Sequence, residues 1–215
     1  FNELYKPVDR TLWGPGAPAN LINAFYDPTK NDITFPAAIL QKPFYSSDNT
    51  LSENLGGIGV VIAHEITHAF DPNGSKFDEF GNIRNWWSEE DYNKFTELSQ
   101  AEIELFDGII CGGLKTNGKL TVGENVADLG GLTVAVETAK KENGNLQELF
   151  QAWAKIWRGK MMPQFRKSII AYDSHAPSEL RSNVPAQCID DFYQTFNIQP
   201  IDGMWLDPEK RVHIW

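Results

Sequence analysis

Residues 57–68 read Gly57-Ile58-Gly59-Val60-Val61-Ile62-Ala63-His64-Glu65-Ile66-Thr67-His68. An apolar run leads without interruption into two histidines four residues apart, the spacing that places two side chains on one face of a helix. On such a helix both imidazoles reach one metal ion, and Glu65 projects beside the open coordination position, a place for an activated water. A solvated polar stripe, or histidines satisfied within the core, is the alternative. The apolar lead-in argues for a buried helix that carries its ligands into a cleft.

Two histidines need a third protein ligand, and hydrolytic zinc sites take it from a glutamate further along the chain. Gly123-Glu124-Asn125-Val126-Ala127-Asp128 offers one. Glu124 and Asp128 share a helix face, so Glu124 can bind the metal while Asp128 accepts the outward N–H of His64 and fixes its tautomer. A competing reading exists: Thr121-Val122-Gly123-Glu124 is also a capping-box pattern, in which Glu124 folds back onto a helix start.

Composition frames these motifs. The 215 residues are 41% hydrophobic and 22% charged, enough apolar content for one globular domain over 1–215. With 19 basic and 29 acidic side chains the formal charge is −10. That balance repels phosphate backbones and anionic membrane surfaces, so no nucleic-acid partner is expected. No apolar run is long enough to span a bilayer and no leader is visible. The chain opens Phe1-Asn2-Glu3 without an initiator methionine, as expected of an excised or processed piece. Cys111 and Cys188 could form one disulfide but are read as buried free thiols, which fits a cytoplasmic protein without excluding an exported or cell-surface one. The pair Trp86-Trp87 is read as core packing, and Gly56, Gly57 and Gly59 as close-packing positions, since no Gly-Lys-Ser/Thr follows them.

Leu21–Tyr26 and Ile33–Phe35, joined by the turn-like Asp27-Pro28-Thr29-Lys30-Asn31-Asp32, read as a hairpin or two neighbouring strands, placing Asn23 on a sheet edge. A helix is expected from about Leu51 to Phe70, stopped by Asp71-Pro72-Asn73-Gly74. Ser88 with Asp91 starts a second helix through about Phe106. Glycines between 108 and 118 break the chain before the Glu124 helix, and further helices are expected over Leu146–Arg158 and Pro185–Phe196. The expected class is α+β, a small N-terminal sheet edge followed by a mainly helical region.

Several stretches, taken in order, resemble the C-terminal catalytic part of the neprilysin and endothelin-converting enzyme family of zinc endopeptidases, the M13 type, in its bacterial oligopeptidase form. They are Asn23-Ala24-Phe25-Tyr26, Phe35-Pro36-Ala37 with Ile39-Leu40-Gln41, Gly56-Gly57-Ile58-Gly59, the helix through Phe70-Asp71, Gly123 to Asp128 with Gly130-Gly131, and His175-Ala176-Pro177 with Arg181. Vertebrate ectoenzymes of the family carry a cysteine where Val212 stands, which also points to the bacterial type.

The resemblance implies a thermolysin-like catalytic fold holding one zinc ion on His64, His68 and Glu124. It makes Glu65 the general base, Asp128 the orienting carboxylate and His175 the group that stabilises the tetrahedral intermediate. Asn23 and Ala24 fall on the family's substrate-binding edge strand, and Arg181 matches the arginine on the leaving-side carbonyl. The pocket for the side chain after the scissile bond corresponds to Ile39, Phe44, Val60, Val61, Ile156 and Trp157, all apolar. Oligopeptides cut on the amino side of hydrophobic residues are the implied substrates. A helical N-terminal domain that covers the cleft in longer relatives is the implied partner. His213, without a role in this scheme, is read as structural.

Two other functions stay open on the sequence. A zinc aminopeptidase shares the two-His, one-Glu pattern, but its usual Gly-x-Met-Glu-Asn amine-capture motif is missing here. A peptide-binding module with a vestigial site is the second, and the intact Glu65 argues against it.

Overall fold

In the computed structural model, which describes residues 5–7, 9 and 17–214, the His-Glu stretch lies on a helix with one interruption. Phe1-Asn2-Glu3, on which the reading of an excised or processed piece rests, lie outside the described residues. Thr50 starts the helix with a full capping box: its hydroxyl accepts from the Glu53 N–H, and the Glu53 carboxylate accepts from the Thr50 N–H. Helix α1 (Leu51–Asn54) runs into a π-helical turn at Leu55–Gly59, then α2 (Val60–Thr67) and a 3-10 turn at His68–Phe70. The continuous helix expected over 51–70 is thus corrected by that π turn.

Its cause is close backbone approach. Gly57 leaves helical geometry (φ −96°, ψ −105°), and the Ile58 N–H turns out to the Phe44 carbonyl at 2.7 Å. A Cβ on Gly57 would sit 2.2 Å from that same carbonyl oxygen. The turn therefore ties the Phe44 loop against the start of α2, a use of π bulges that is common beside functional sites.

The N-terminal hairpin is shorter than expected. Strands β1 (Phe25–Asp27) and β2 (Asp32–Thr34) pair antiparallel with Phe25 opposite Thr34. Asn23 and Ala24 precede β1 and lie outside the ladder, so the expected strand from Leu21 is corrected to a start at Phe25. Helix α3 (Glu89–Phe106) begins at Ser88, whose hydroxyl accepts from the Asp91 N–H. A second small hairpin, β3 (Ile110–Cys111) with β4 (Leu114–Lys115), fills the glycine-rich break.

Helix α4 (Gly118–Lys141) is the spine of the core, packed against α2, α3 and α7 (Ser178–Gln187). It starts earlier than Glu124, with the Asn117 side chain accepting from the Leu120 N–H. Thr121 is thus inside the helix, which removes the capping-box reading of Glu124. Gly131 lets α2 come close: a Cβ there would lie 2.8 Å from the Val60 carbonyl oxygen and 2.9 Å from the His64 nitrogen. The main core joins Val60, Val126, Leu129, Leu132 and Val136 to Leu149 and Trp153 of α5 (Leu146–Ile156), Phe192 of α8 (Asp190–Phe196), and Val212 and Ile214 of the tail.

Two expectations about the C-terminal third are corrected. Pro185 does not open a helix; it lies near the end of α7, and extended backbone at Ile189 separates α7 from α8. Helix α6 (Pro163–Tyr172) was not foreseen, although Pro163 at its first turn is a recognised start signal. Trp87 stacks on Phe95 in the core as expected, but Trp86 is half exposed against Phe70. Cys111 and Cys188 are both buried free thiols, and His213 is exposed. Among the described residues no helix is long and apolar enough to cross a membrane.

One buried charge site lies in the α3–α4 layer. Glu102 is fully buried, and neither carboxyl oxygen has a hydrogen-bond partner among the described residues. Burial, reinforced by the negative charge of Asp128, pushes its pKa up to about 8. A raised carboxyl pKa means that the folded state holds its proton while the unfolded chain releases it. Stability is therefore fully present below the ordinary Glu range near 4.5 and is lost as pH rises from there to about 8. Each pKa unit corresponds to about 1.4 kcal/mol. Glu102→Gln keeps the shape without the ionisation, so it is expected to raise the urea midpoint at pH 8 far more than at pH 5. Urea titrations of both proteins in chelator test this; an equal difference at the two pH values would place the ionisation elsewhere.

Candidate metal centre and substrate cleft

Helices α2 and α4 bring three ligand atoms to one point. His64 Nε2 lies 3.0 Å from His68 Nε2 and 3.4 Å from Glu124 Oε2, and His68 Nε2 lies 3.7 Å from the same oxygen. With metal–ligand distances of about 2.1 Å, tetrahedral geometry separates ligand atoms by about 3.4 Å. The three distances bracket that value. Glu124 Oε2 is buried and makes no hydrogen bond among the described residues, which is the state of an oxygen awaiting a cation. The donor set fits a zinc ion.

The outer nitrogens of both imidazoles are held by carboxylates. His64 Nδ1 lies 2.8 Å from Asp128 Oδ1, and His68 Nδ1 lies 2.7 Å from Asp71 Oδ2. Each contact favours the proton on Nδ1 and turns the Nε2 lone pair to the centre. Asp71 also closes the turn after the helix, because its Oδ1 accepts from the Asn73 and Gly74 N–H groups at 2.6 and 2.7 Å. In the sequence this residue reads only as a stop signal. Its spacing three residues after His68 was the available clue.

Charge is arranged around the same point. Burial alone would pull the His64 pKa down, but the Asp128 and Glu124 carboxylates beside the ring outweigh it and lift the value to about 9. Glu124 is resisted by burial yet held down to about 2 by His64, His68 and His175. Asp128, fully buried, stays well below the usual carboxylate range against its desolvation because the Arg181 guanidinium grips it from two sides. The bonds are Nε to Oδ2 at 2.6 Å and Nη2 to Oδ1 at 2.8 Å. Trp157 lies under that guanidinium at 4.2 Å. Glu65 is buried beside the two histidines, and desolvation pushes its pKa up against their attraction.

His175 enters from the loop between α6 and α7. Its Nε2 lies 3.3 Å from Glu124 Oε2, and Asp173 orients it, accepting from the His175 N–H at 2.9 Å and lying 2.7 Å from Nδ1. Asp173 was not singled out in the sequence, where it reads as an ordinary loop acid.

All fifteen residues named from the sequence line one cleft of about 520 Å³. His64, Glu65, His68, Glu124, Asp128, His175 and Arg181 form its polar side. Ile39, Phe44, Val60, Val61, Ile156 and Trp157 form an apolar wall, and Asn23 and Ala24 lie along the rim leading into β1. Tyr26, Asn73 and Trp153 also line the cleft and were not anticipated.

Over most of its length the chain is similar to known proteins. The model of peptidase family M13 matches residues 23–212. A neutral endopeptidase of Lactobacillus helveticus is 50% identical over the whole chain, which covers 33% of that protein. The crystal structure of PepO from Lactobacillus rhamnosis is 48% identical with a TM-score of 0.89 over 95% of this chain and 32% of that one. The Mycobacterium tuberculosis zinc metalloprotease Zmp1, solved with an inhibitor, is 38% identical with a TM-score of 0.93 over all of this chain and 35% of that one. The chain thus spans about a third of the length of the relatives it matches.

Proposed function

The chain belongs to peptidase family M13, and from that premise we propose that it is the zinc-dependent endopeptidase unit of its protein, cutting oligopeptides on the amino side of hydrophobic residues. One observation carries the reading: three convergent ligand atoms sit beside a buried carboxylate, Glu65, that is not one of them, at the mouth of an apolar pocket.

His64, His68 and Glu124 would hold the zinc. When bound, the metal supplies a Lewis acid that polarises the scissile carbonyl and acidifies water. The chain's own residues do the rest. Glu65, made more basic by its burial, takes the proton from the attacking water and hands it to the leaving amine, so no covalent intermediate is needed. His175, steadied by Asp173, donates to the oxygen on which negative charge develops. Arg181 commits Nε and Nη2 to Asp128, leaving Nη1 for a substrate carbonyl. Asn23 and Ala24, outside the β1–β2 ladder, offer main-chain groups to an extended peptide, which grips a backbone without reading its sequence. Ile39, Phe44, Val60, Val61, Ile156 and Trp157 receive the hydrophobic side chain after the cut. A helical domain over the cleft, supplied by the longer polypeptide, would restrict entry to short peptides.

An aminopeptidase is disfavoured by charge. Apart from Glu65, every carboxylate lining the cleft is engaged: Asp71 by His68, Asp128 by His64 and Arg181, and Glu124 by the histidines. None is left to capture a free amino terminus.

Mass-spectrometric mapping of cleavage in short, unstructured, amino-blocked peptides is the test. Internal cuts before Phe, Leu or Ile by the zinc-loaded chain are expected. Cuts only in unblocked peptides would establish the aminopeptidase. Zinc binding without any cut would favour a peptide-binding module.

A further inference from the structure

The buried side chains of α3 form one stripe, Phe95, Ser99, Glu102 and Phe106, and its two middle members are polar. The stripe packs on α4. Gly118 sets the level of that packing, because a Cβ there would collide with the Ile103 carbonyl oxygen. From this contact the helices run back alongside each other at the same rise per residue, which brings Ser99 and Glu102 level with a polar stripe of α4, Thr121, Asn125 and Asp128. Two of its members are already matched in part: Asn125 Nδ2 donates to Thr121 Oγ1 at 2.9 Å, and Asp128 is held by Arg181 and His64. Four buried oxygens have no partner among the described residues: Ser99 Oγ, both oxygens of Glu102, and Asn125 Oδ1. The titratable groups facing Glu102 are Asp128 on α4 and Cys188 at the end of α7. The cations of that region, Arg181 and Arg211, are committed to Asp128 and Asp190. An ionised Glu102 adds only acceptors, so that among the four groups the Ser99 hydroxyl is left as donor to three oxygens. The neutral acid adds a second donor. Ser99 O–H then serves the Glu102 carbonyl oxygen, Glu102 O–H serves Asn125 Oδ1, and all four groups are satisfied.

We propose that Glu102, as the uncharged acid, is a positioning residue for the metal centre: its O–H donates to Asn125 Oδ1, directly or across one buried water, and fixes the turn of α4 that carries Glu124 and Asp128. The proposal rests on the zinc reading of His64, His68 and Glu124. Asn125 is fully buried between the ligand and the orienting carboxylate, and its nitrogen is committed to Thr121 one turn back. A bond from α3 to its oxygen holds the other end of the amide, so the turn cannot rotate without breaking one of the two. Rotation would move Glu124 Oε2 away from the two imidazoles. Loss of the Glu102 proton removes the donor and sets a second negative charge near Asp128. Burial pushes the pKa of Glu102 up to about 8, which brings that loss within experimental reach.

Zinc affinity by chelator competition is compared in the parent, E102Q and E102M, below pH 7 and near pH 9, in samples shown by circular dichroism to be folded. Glutamine reproduces the neutral acid, donating to Asn125 and accepting from Ser99, whereas methionine fills the space and does neither. Below pH 7, E102Q is expected to match the parent and E102M to bind zinc about tenfold more weakly. Near pH 9 the parent is expected to fall behind E102Q by about the same factor, since general effects of pH on zinc binding act on both. A parent-to-E102Q ratio that does not change with pH overturns the proposal. So does a parent that binds more tightly than E102Q at high pH, the signature of added charge alone. Equal affinities in E102M and E102Q overturn it as well, and confine Glu102 to stability. The Asn125 side-chain NH2 resonance of the metal-free protein is a second readout. It is expected to shift with pH as Glu102 titrates and to stay still in E102Q; a resonance that is static in the parent, or that shifts equally in E102Q, overturns the proposal whether or not zinc binds. If no form binds zinc, the metal reading fails separately and this resonance decides the Glu102–Asn125 link.

Discussion

Glu65→Gln is expected to keep its zinc and its fold and to lose at least about 10³-fold in kcat on a blocked peptide, within the range that general-base removal costs. The substitution is nearly isosteric, so the packing of α2 against α4 is undisturbed. Glu65 is not among the three convergent ligand atoms, so the metal site keeps its donors. What is lost is the ability to accept a proton. The carboxylate is buried, and desolvation raises its pKa against the pull of His64 and His68, which brings it closer to the basicity that the reaction needs. An amide at this position can still hydrogen-bond water but cannot carry its proton to the leaving amine. Metal content by atomic emission and single-turnover hydrolysis together make the test. Activity within tenfold of the parent would remove Glu65 as the base. Loss of zinc along with activity would mean that the residue supports the metal instead.

How much of this site could be read from sequence depended on whether its parts lie close together on one element. His64 with His68, and Glu124 with Asp128, are each a helical i, i+4 pair, so a single rule brings their side chains to one face. That the two faces meet requires close approach of α2 and α4. A local trace of this is Gly131, whose missing Cβ admits the backbone of His64. Asp71 reads as a helix stop because Asp-Pro-Asn-Gly is a strong turn signal, and the turn is real. Its two oxygens simply do both jobs at once, and a one-dimensional pattern rewards only the first. Asp173 pairs with His175 two residues on, in a loop with no periodicity to make it stand out. The π turn at Leu55–Gly59 is a tertiary effect: the Phe44 carbonyl captures an N–H that helical propensity alone would give to the helix. Pro185 misled for the opposite reason. A proline usually marks a boundary, yet α7 carries it close to its C-terminal end and continues to Gln187.

Arg181→Met is expected to be the most destabilising single change in the site, by about 3–5 kcal/mol, the cost of leaving a buried carboxylate without its partner. Asp128 is almost completely buried, and its low pKa exists because the guanidinium holds both of its oxygens. Methionine fills much of the space over Trp157 but offers no donor. Asp128 is then expected to take up a proton more readily and to hold His64 less firmly. Loss of such an outer partner typically lowers metal affinity by about 10–100-fold. Arg181→Lys should recover only part of the stability, because one ammonium cannot reproduce the two parallel bonds. Urea unfolding in chelator reads the structural part, and zinc titration reads the effect passed on through His64. A substrate role for Nη1 adds a third signature, a loss in kcat/KM that persists at saturating zinc in the lysine variant. An unfolding midpoint unchanged in Arg181→Met, with hydrolysis abolished, would mean that the arginine serves the substrate alone and that Asp128 is held by His64 without it.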